Sequence, residues 1–264
     1  MTLAALPSLR TPEVRDALIA YLLGVADDEL IVGHRHSEWT GFAPDIESDV
    51  ALSSIAQEEI GHARLLYEQV AELAGGDPDA LAYDRGPDAL RNAVLVERPN
   101  GDWGFSIIRM FLYDHADAVR LDALAGGSLA PLADLARTLR REERYHMIYG
   151  EQWLRRLAQA ADESHRRVQA ALDAVWPEAA VLFAPPDGQD MLEKPGVLGT
   201  AALVQAQRWR DAVLPVLADI GLRTPAESGK DQVPNGRRGK HTEHLAALLD
   251  EMTSVRRSEP GARW

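Results

Sequence analysis

The stretch Gln57-Glu58-Glu59-Ile60-Gly61-His62, with its echo Arg141-Glu142-Glu143-Arg144-Tyr145-His146, decides the fold. In each, a glutamate stands three residues before a histidine within an apolar pattern of helical period, so carboxylate and imidazole project from one face. Two such helices, with two more that each add a carboxylate, are how a four-helix bundle offers ligands to a pair of metal ions. With 19 glutamates and 8 histidines in 264 residues, Glu-x-x-His arises by chance roughly 0.6 times. Two occurrences alone therefore carry little weight, and the surrounding spacing has to decide.

The first helix is expected over residues 12–36. Thr11-Pro12-Glu13 is a helix start: threonine can cap, proline suits the first position, and glutamate favours the positive end of the dipole. Its apolar line runs Leu18, Leu22, Val25, Glu29, Val32, which puts Glu29 on the buried stripe. Asp27 and Asp28 fall off that line and read as solvated. A second helix opens at Pro44-Asp45 and stops at Gly75-Gly76, with Leu52, Ile55, Glu59, His62, Leu66, Val70 and Leu73 along one face. Glu58 shares its side with a less apolar set, so Glu59 is preferred. Residues 77–101, broken by Pro78, Pro87 and Pro99, read as an irregular connector with one short helical stretch near 89–94.

The third long helix, 102–125, carries Ile107, Met110, Phe111, Asp114, Ala118 and Leu121 on one face, and the fourth, 131–161, carries Leu132, Leu135, Ala136, Leu139, Glu143, His146, Met147, Gly150, Leu154 and Leu157. A fifth helix is expected over 163–183, broken or bent at Trp176-Pro177, a sixth over 198–220, kinked by Pro215, and a last over 242–256. The polar, glycine- and proline-rich stretch 223–239 reads as a surface excursion that needs a partner to order it. Nothing alternates with the period of two of a half-buried strand. The chain is therefore expected to be all-α: one domain over 1–264, a four-helix bundle core over about 12–161 and additional C-terminal helices and tail over about 163–264.

Spacing strengthens the paired motif. Glu29 precedes Glu59 by 30 residues and Asp114 precedes Glu143 by 29, so each half is a carboxylate helix followed by a Glu-x-x-His helix, with the halves offset by about 84. The candidate metal ligands are Glu29, Glu59, His62, Asp114, Glu143 and His146, with Asp117 or His115 as alternatives to Asp114. His115 reads as an ordinary packed histidine. Ionised carboxylates on apolar stripes need protons, cations or metal. Two readings stay open: a pair of iron or manganese ions, which such an oxygen-rich donor set suits better than zinc, or a metal-free network of protonated carboxylates and imidazolium ions.

Bulk properties limit the function. A formal charge of -13 and a pI near 5.0 disfavour a nucleic-acid or anionic-membrane surface. The absence of cysteine removes disulfides, thiolate metal sites and thiol nucleophiles. With no leader pattern at the amino terminus and no long apolar run, the expected location is the cytoplasm. Other features read as ordinary structure: His34 and His36 as charge at a helix terminus, His241-Thr242-Glu243-His244 as a helix cap, Arg237-Arg238-Gly239-Lys240 as a solvated loop, and Tyr145 and Trp153 as core.

The segments Glu38-Trp39-Thr40-Gly41-Phe42-Ala43-Pro44, Val96-Glu97-Arg98-Pro99-Asn100-Gly101, Glu143-Arg144-Tyr145-His146 and Gly239-Lys240-His241-Thr242-Glu243-His244-Leu245, with Pro260-Gly261 and Trp264, resemble the PaaC subunits of bacterial ring-1,2-phenylacetyl-CoA epoxidases over nearly the whole chain. The resemblance implies a ferritin-like fold and a place in a multicomponent monooxygenase of phenylacetate catabolism. That complex makes the ring epoxide of phenylacetyl-CoA with dioxygen and electrons from NADPH, delivered by a separate reductase carrying flavin and an iron–sulfur centre. It implies further that a sister subunit, PaaA, carries the di-iron centre and that PaaC is its structural partner, so catalysis by this chain itself is not implied. The alternative is an independent ferritin-like di-iron oxidase acting on another substrate.

Overall fold

The computed structural model describes residue 3 and residues 6–226 and 230–259; Pro260-Gly261 and Trp264 of the resemblance lie outside the described residues. Eleven helices are found among them and no strand: α1 Pro12–Ser37, α2 Ile46–Ala74, α3 Pro78–Tyr83, α4 Val94–Glu97, α5 Trp103–Ala125, α6 Ala130–Ala160, α7 Asp162–Ala179, α8 Asp190–Glu193, α9 Ala202–Asp219, α10 Glu243–Met252 and α11 Ser254–Ser258. The four long helices of the sequence reading are α1, α2, α5 and α6. Their starts are set by local chemistry. Asp45 Oδ1 accepts from the Ser48 amide at 2.8 Å and Asp102 Oδ1 from the Phe105 amide at 2.9 Å. Thr11 makes no such side-chain bond; the proline behind it opens α1 without a capped amide.

Two apolar clusters hold the bundle. The first contains Leu18 and Leu22 of α1, Leu66 and Val70 of α2, Leu121 and Leu124 of α5, and Leu132 and Leu139 of α6. The second contains Leu52 and Ile55 of α2, Ile107 and Phe111 of α5, and Leu154 of α6, and extends to α7 and α9 through Leu172, Trp176 and Trp209. Thus α1 and α6 leave the first cluster while α2 and α5 enter it, so α1 is antiparallel to α2 and α5 to α6. Because α2 ends in the cluster opposite to the one where α5 begins, the connector 75–102 has to cross the length of the bundle. One long crossover joining two antiparallel pairs is the ferritin-like topology.

The structure departs from the sequence reading at several places. The connector contains two short helices, α3 and α4, on either side of a 3-10 turn at Pro87–Ala89, and neither covers 89–94 as a unit. Helix α7 stops at Ala179, with Pro177 in its final turn, and residues 181–184 continue in turns. Helix α9 begins at Ala202, because the Gly199 amide donates to the Ala123 carbonyl at 2.8 Å and ties the preceding residues to the end of α5. Tyr145 is exposed. Trp153 does pack, edge-on to Trp103.

The largest correction concerns the aspartates and the excursion. Asp27 and Asp28 are fully buried. Asp27 accepts from Tyr67 Oη at 2.6 Å, from the Arg91 amide at 2.6 Å and from Arg85. Asp28 is held by Arg237 at 2.5 Å, Arg120 at 2.9 Å and the Ala93 amide at 2.6 Å. Arg237 comes from the stretch read as a solvated, partner-dependent loop; instead, its described end is packed onto α1. A buried ionised carboxylate requires such partners, and here all but Tyr67 come from the connector, α5 and the C-terminal segment. Neither is Thr242 a side-chain cap: its amide and hydroxyl donate to Glu97 at 2.6 and 2.7 Å, and His241 Nδ1 meets Glu97 at 2.9 Å.

Candidate metal centre

Between the two apolar clusters, at the middle of the bundle, the six sequence candidates come together. Glu29 on α1, Glu59 and His62 on α2, Asp114 on α5, and Glu143 and His146 on α6 are each at most 2% exposed. Tyr113 Oη donates to Glu29 Oε1 at 3.2 Å, and His62 Nδ1 lies 3.5 Å from Glu29 Oε2. His146 Nδ1 donates to Glu143 Oε2 at 3.1 Å. The two imidazoles face each other across the bundle, centroids 6.0 Å apart and planes 25° from parallel. Neither oxygen of Asp114 or Asp117 has a hydrogen-bond partner. Both aspartates are fully buried. His115 turns away: its Nδ1 donates to the Phe111 carbonyl at 2.8 Å on its own helix.

Three neighbours escaped the sequence reading. His36 is not a terminus charge; it is buried, and its Nδ1 donates to Glu59 Oε2 at 2.8 Å. Its seven-residue step from Glu29, two helical turns on, was the available signal. His34 is not a terminus charge either, because burial lowers its pKa to about 4 and leaves it neutral near pH 7. Glu58 Oε2 accepts from His146 Nε2 and Glu142 Oε2 from His62 Nε2, both at 2.8 Å. The doubled glutamate before each x-x-His was the signal for these two.

Burial shifts the titration of the whole group. It pushes Asp114 well above the ordinary carboxylate range, reinforced by Glu143 and Glu59. Asp117 is raised likewise by burial and then by Glu29, and Glu29 by burial against the opposing pull of His62. Burial would lower the imidazoles, but carboxylates outweigh it. Glu29 and Glu142 hold His62 at about 9, and Glu143, with Glu59 and Asp114, holds His146 at about 11. In this arrangement protons and imidazolium charge neutralise the acids.

Whether the residues fit a metal pair turns on their unpartnered atoms. Glu29 Oε2, Glu59 Oε1, His62 Nδ1, both oxygens of Asp114 and Glu143 Oε1 are buried without a hydrogen bond, as are both oxygens of Asp117. Natural structures rarely leave so many orphaned polar atoms in one place. By kind, an oxygen-rich set with two imidazoles is the donor chemistry that oxygen-preferring divalent cations take. Among the described residues, no group of three or more His, Asp or Glu side chains stands in an arrangement that could hold an ion as it is. Both nitrogens of His146 are engaged by carboxylates.

A family model described as phenylacetic acid catabolic protein matches residues 4–264. The chain belongs to that family. Among its relatives, the C-type subunit of the 1,2-phenylacetyl-CoA epoxidase of Escherichia coli (strain K12) is 33% identical over 248 residues, covering 94% of this chain and 99% of the relative. The A-type subunit of the same bacterium's epoxidase is 25% identical over 173 residues, covering 66% of this chain and 56% of the relative. As a family member with both kinds of relative, the chain is closer to the C type in identity and in extent. Among the described residues, no helix is long and apolar enough to cross a membrane.

Proposed function

We propose that this chain is the C-type subunit of a multicomponent ring-1,2-phenylacetyl-CoA epoxidase in phenylacetate catabolism, paired with an A-type catalytic subunit, and that its bundle keeps a site for two iron or manganese ions. The observation that carries the first part is the 33% identity extending over 94% of this chain and 99% of a C-type epoxidase subunit. An independent oxidase is disfavoured by the same match. NADPH, flavin and iron–sulfur chemistry belong, on this reading, to a separate reductase.

The second part rests on the unpartnered donors. Glu29, Glu59, Asp114 and Glu143 would hold the ions through oxygen and His62 through Nδ1; His146 would join them only by releasing one of its two carboxylate partners. The chemistry such a pair supplies when bound is the reduction of dioxygen. The chain's own part is to set the donors, to keep the apolar clusters above and below them dry, and to shed the protons on Asp114, the two imidazoles and their neighbours as metal enters. A second reading, a metal-free scaffold in the same complex, is favoured by one observation: each imidazole already lies between two carboxylates.

Metal analysis of protein purified under iron-replete conditions separates these. Close to two equivalents are expected; less than one equivalent of any transition metal, with all six side chains intact, sinks the metal site. Stable co-elution with a co-expressed A-type partner is expected, and its absence refutes the complex. In the reconstituted complex, Glu59→Ala with His62→Ala abolishes turnover if this chain catalyses and leaves it largely intact if the chain only supports its partner.

A further inference from the structure

A small cavity lies where five parts of the chain meet: α1, α5, the stretch after α7, the start of α9 and the C-terminal segment. Tyr21, Arg120, Gln189, Gln205 and Arg237 supply its polar wall, each more than nine-tenths buried. The rest of the wall is glycine, alanine, proline or larger apolar side chains, and no acid lines it. Its inner space of about 20 Å³ suits one water-sized occupant. Two guanidiniums here share one carboxylate: Asp28 sits 2.9 Å from Arg120 and 2.5 Å from Arg237, and among the described residues no other carboxylate pairs with either. One formal positive charge is therefore left over and buried, in a chain whose net charge is -13. Packing fixes Arg120 in place, 5.5 Å over the Phe183 ring and 5.9 Å over the Tyr113 ring, with Nη2 donating to the Leu182 carbonyl at 3.0 Å.

The donors point to the same chemistry as the charge. Tyr21 Oη is buried and has no hydrogen-bond partner. Burial raises its pKa to about 12, so it stays a phenol able to donate. Gln205 Nε2 gives one N–H to the Thr200 carbonyl at 2.8 Å, and Gln189 Nε2 gives one to Glu193 at 3.2 Å, which leaves each amide a second N–H. We propose that this cavity is a binding site for one monovalent anion of halide size, held by Tyr21, Arg120 and the remaining amide N–H groups. A buried guanidinium charge without a counter-charge is costly, and a single bound anion cancels it. Hydrogen bonds from these donors to an ionised acceptor belong to the stronger class. The space is too small for an acid with an apolar tail, and one excess charge does not match a divalent ion. Because the wall comes from five segments, the anion fastens the stretch after α7 and the C-terminal segment to α1 and α5. The inference uses neither the di-metal site nor the epoxidase assignment.

Thermal melts of the full-length chain in sodium bromide and in sodium gluconate of equal ionic strength test the site, with Tyr21→Phe as the variant. For one site, the melting temperature should rise about 3 °C for each tenfold increase in bromide above its dissociation constant. Tyr21→Phe removes only an unpartnered hydroxyl, so in gluconate it should melt no lower than the parent. In bromide it should lose most of the gain, with bromide affinity weakened at least about 10-fold. General salt effects move both proteins alike. Equal bromide responses in parent and variant, or no response in the parent, therefore overturn the proposal. Bromide-soaked crystals give a direct readout: an anomalous difference peak is expected in the cavity, within hydrogen-bond reach of Tyr21 Oη and Arg120. Peaks confined to the surface would mean an adventitious ion only, and a cavity holding water in place of bromide would equally refute the site.

Discussion

Replacing Arg237 with alanine should destabilise the chain by about 3 kcal/mol. The guanidinium donates through Nη1 to the Gly24 carbonyl at 2.7 Å, the Arg91 carbonyl at 2.9 Å and Asp28 Oδ1 at 3.1 Å, and through Nη2 to Asp28 Oδ2 at 2.5 Å. Both partners of the ion pair are buried. Breaking such a pair costs about 3–5 kcal/mol when the survivor is stranded. Asp28 is not stranded, because Arg120 and the Ala93 amide still hold it, so the loss belongs at the bottom of that range. At about 2 °C per kcal/mol for a chain of this size, the melting temperature should fall by about 6 °C. Urea denaturation and thermal melts measure both quantities, with Arg238→Ala as the control. Arg238 pairs with Asp187 on the surface and should cost no more than about 0.5 kcal/mol. A loss below about 1 kcal/mol for Arg237→Ala, or equal losses at the two arginines, would show that the segment is not docked on α1 in solution.

The same docking makes Gly236→Ala disruptive, since a Cβ there would lie 1.9 Å from the Asn92 carbonyl oxygen; limited proteolysis should cut the 230–242 stretch faster in this variant, and an unchanged rate would contradict the packing. Glu178 gives a pH test. Burial raises its carboxyl from 4.5 to about 7 against the pull of Arg98, so the folded state binds the proton more tightly. Its contribution is fully present below the unfolded value, near 4.5, and is lost as pH rises through about 7. Glu178→Gln should therefore stabilise the chain at pH 8 by up to about 3 kcal/mol and give no gain near the unfolded value. A gain that does not vary between these pH values would refute the buried-carboxyl assignment.

The long helices and the inward positions of Glu29, Glu59, His62, Asp114, Glu143 and His146 were legible because the period of a helix converts sequence spacing directly into a face. The motif pair, its 84-residue offset and the apolar residues around it identified which face that was. Asp27 and Asp28 were misread for the converse reason. A stripe assumes that a helix buries one side, whereas α1 is buried almost all round from Leu18 to His36. The partners that make this tolerable, Arg85, Arg120 and Arg237, lie far away in sequence, and no local pattern announces them.

What the sequence determined by itself was therefore the all-helical architecture and the acidic, imidazole-bearing core, since both follow from local period and composition. What only the tertiary structure decided was how the charges are shared. It assigned Glu58 to His146, Glu142 to His62, His36 to Glu59 and Arg237 to Asp28. A buried charge is stabilised by whichever opposite group the fold brings within about 3 Å, and that distance depends on how helices pack rather than on any one helix's sequence.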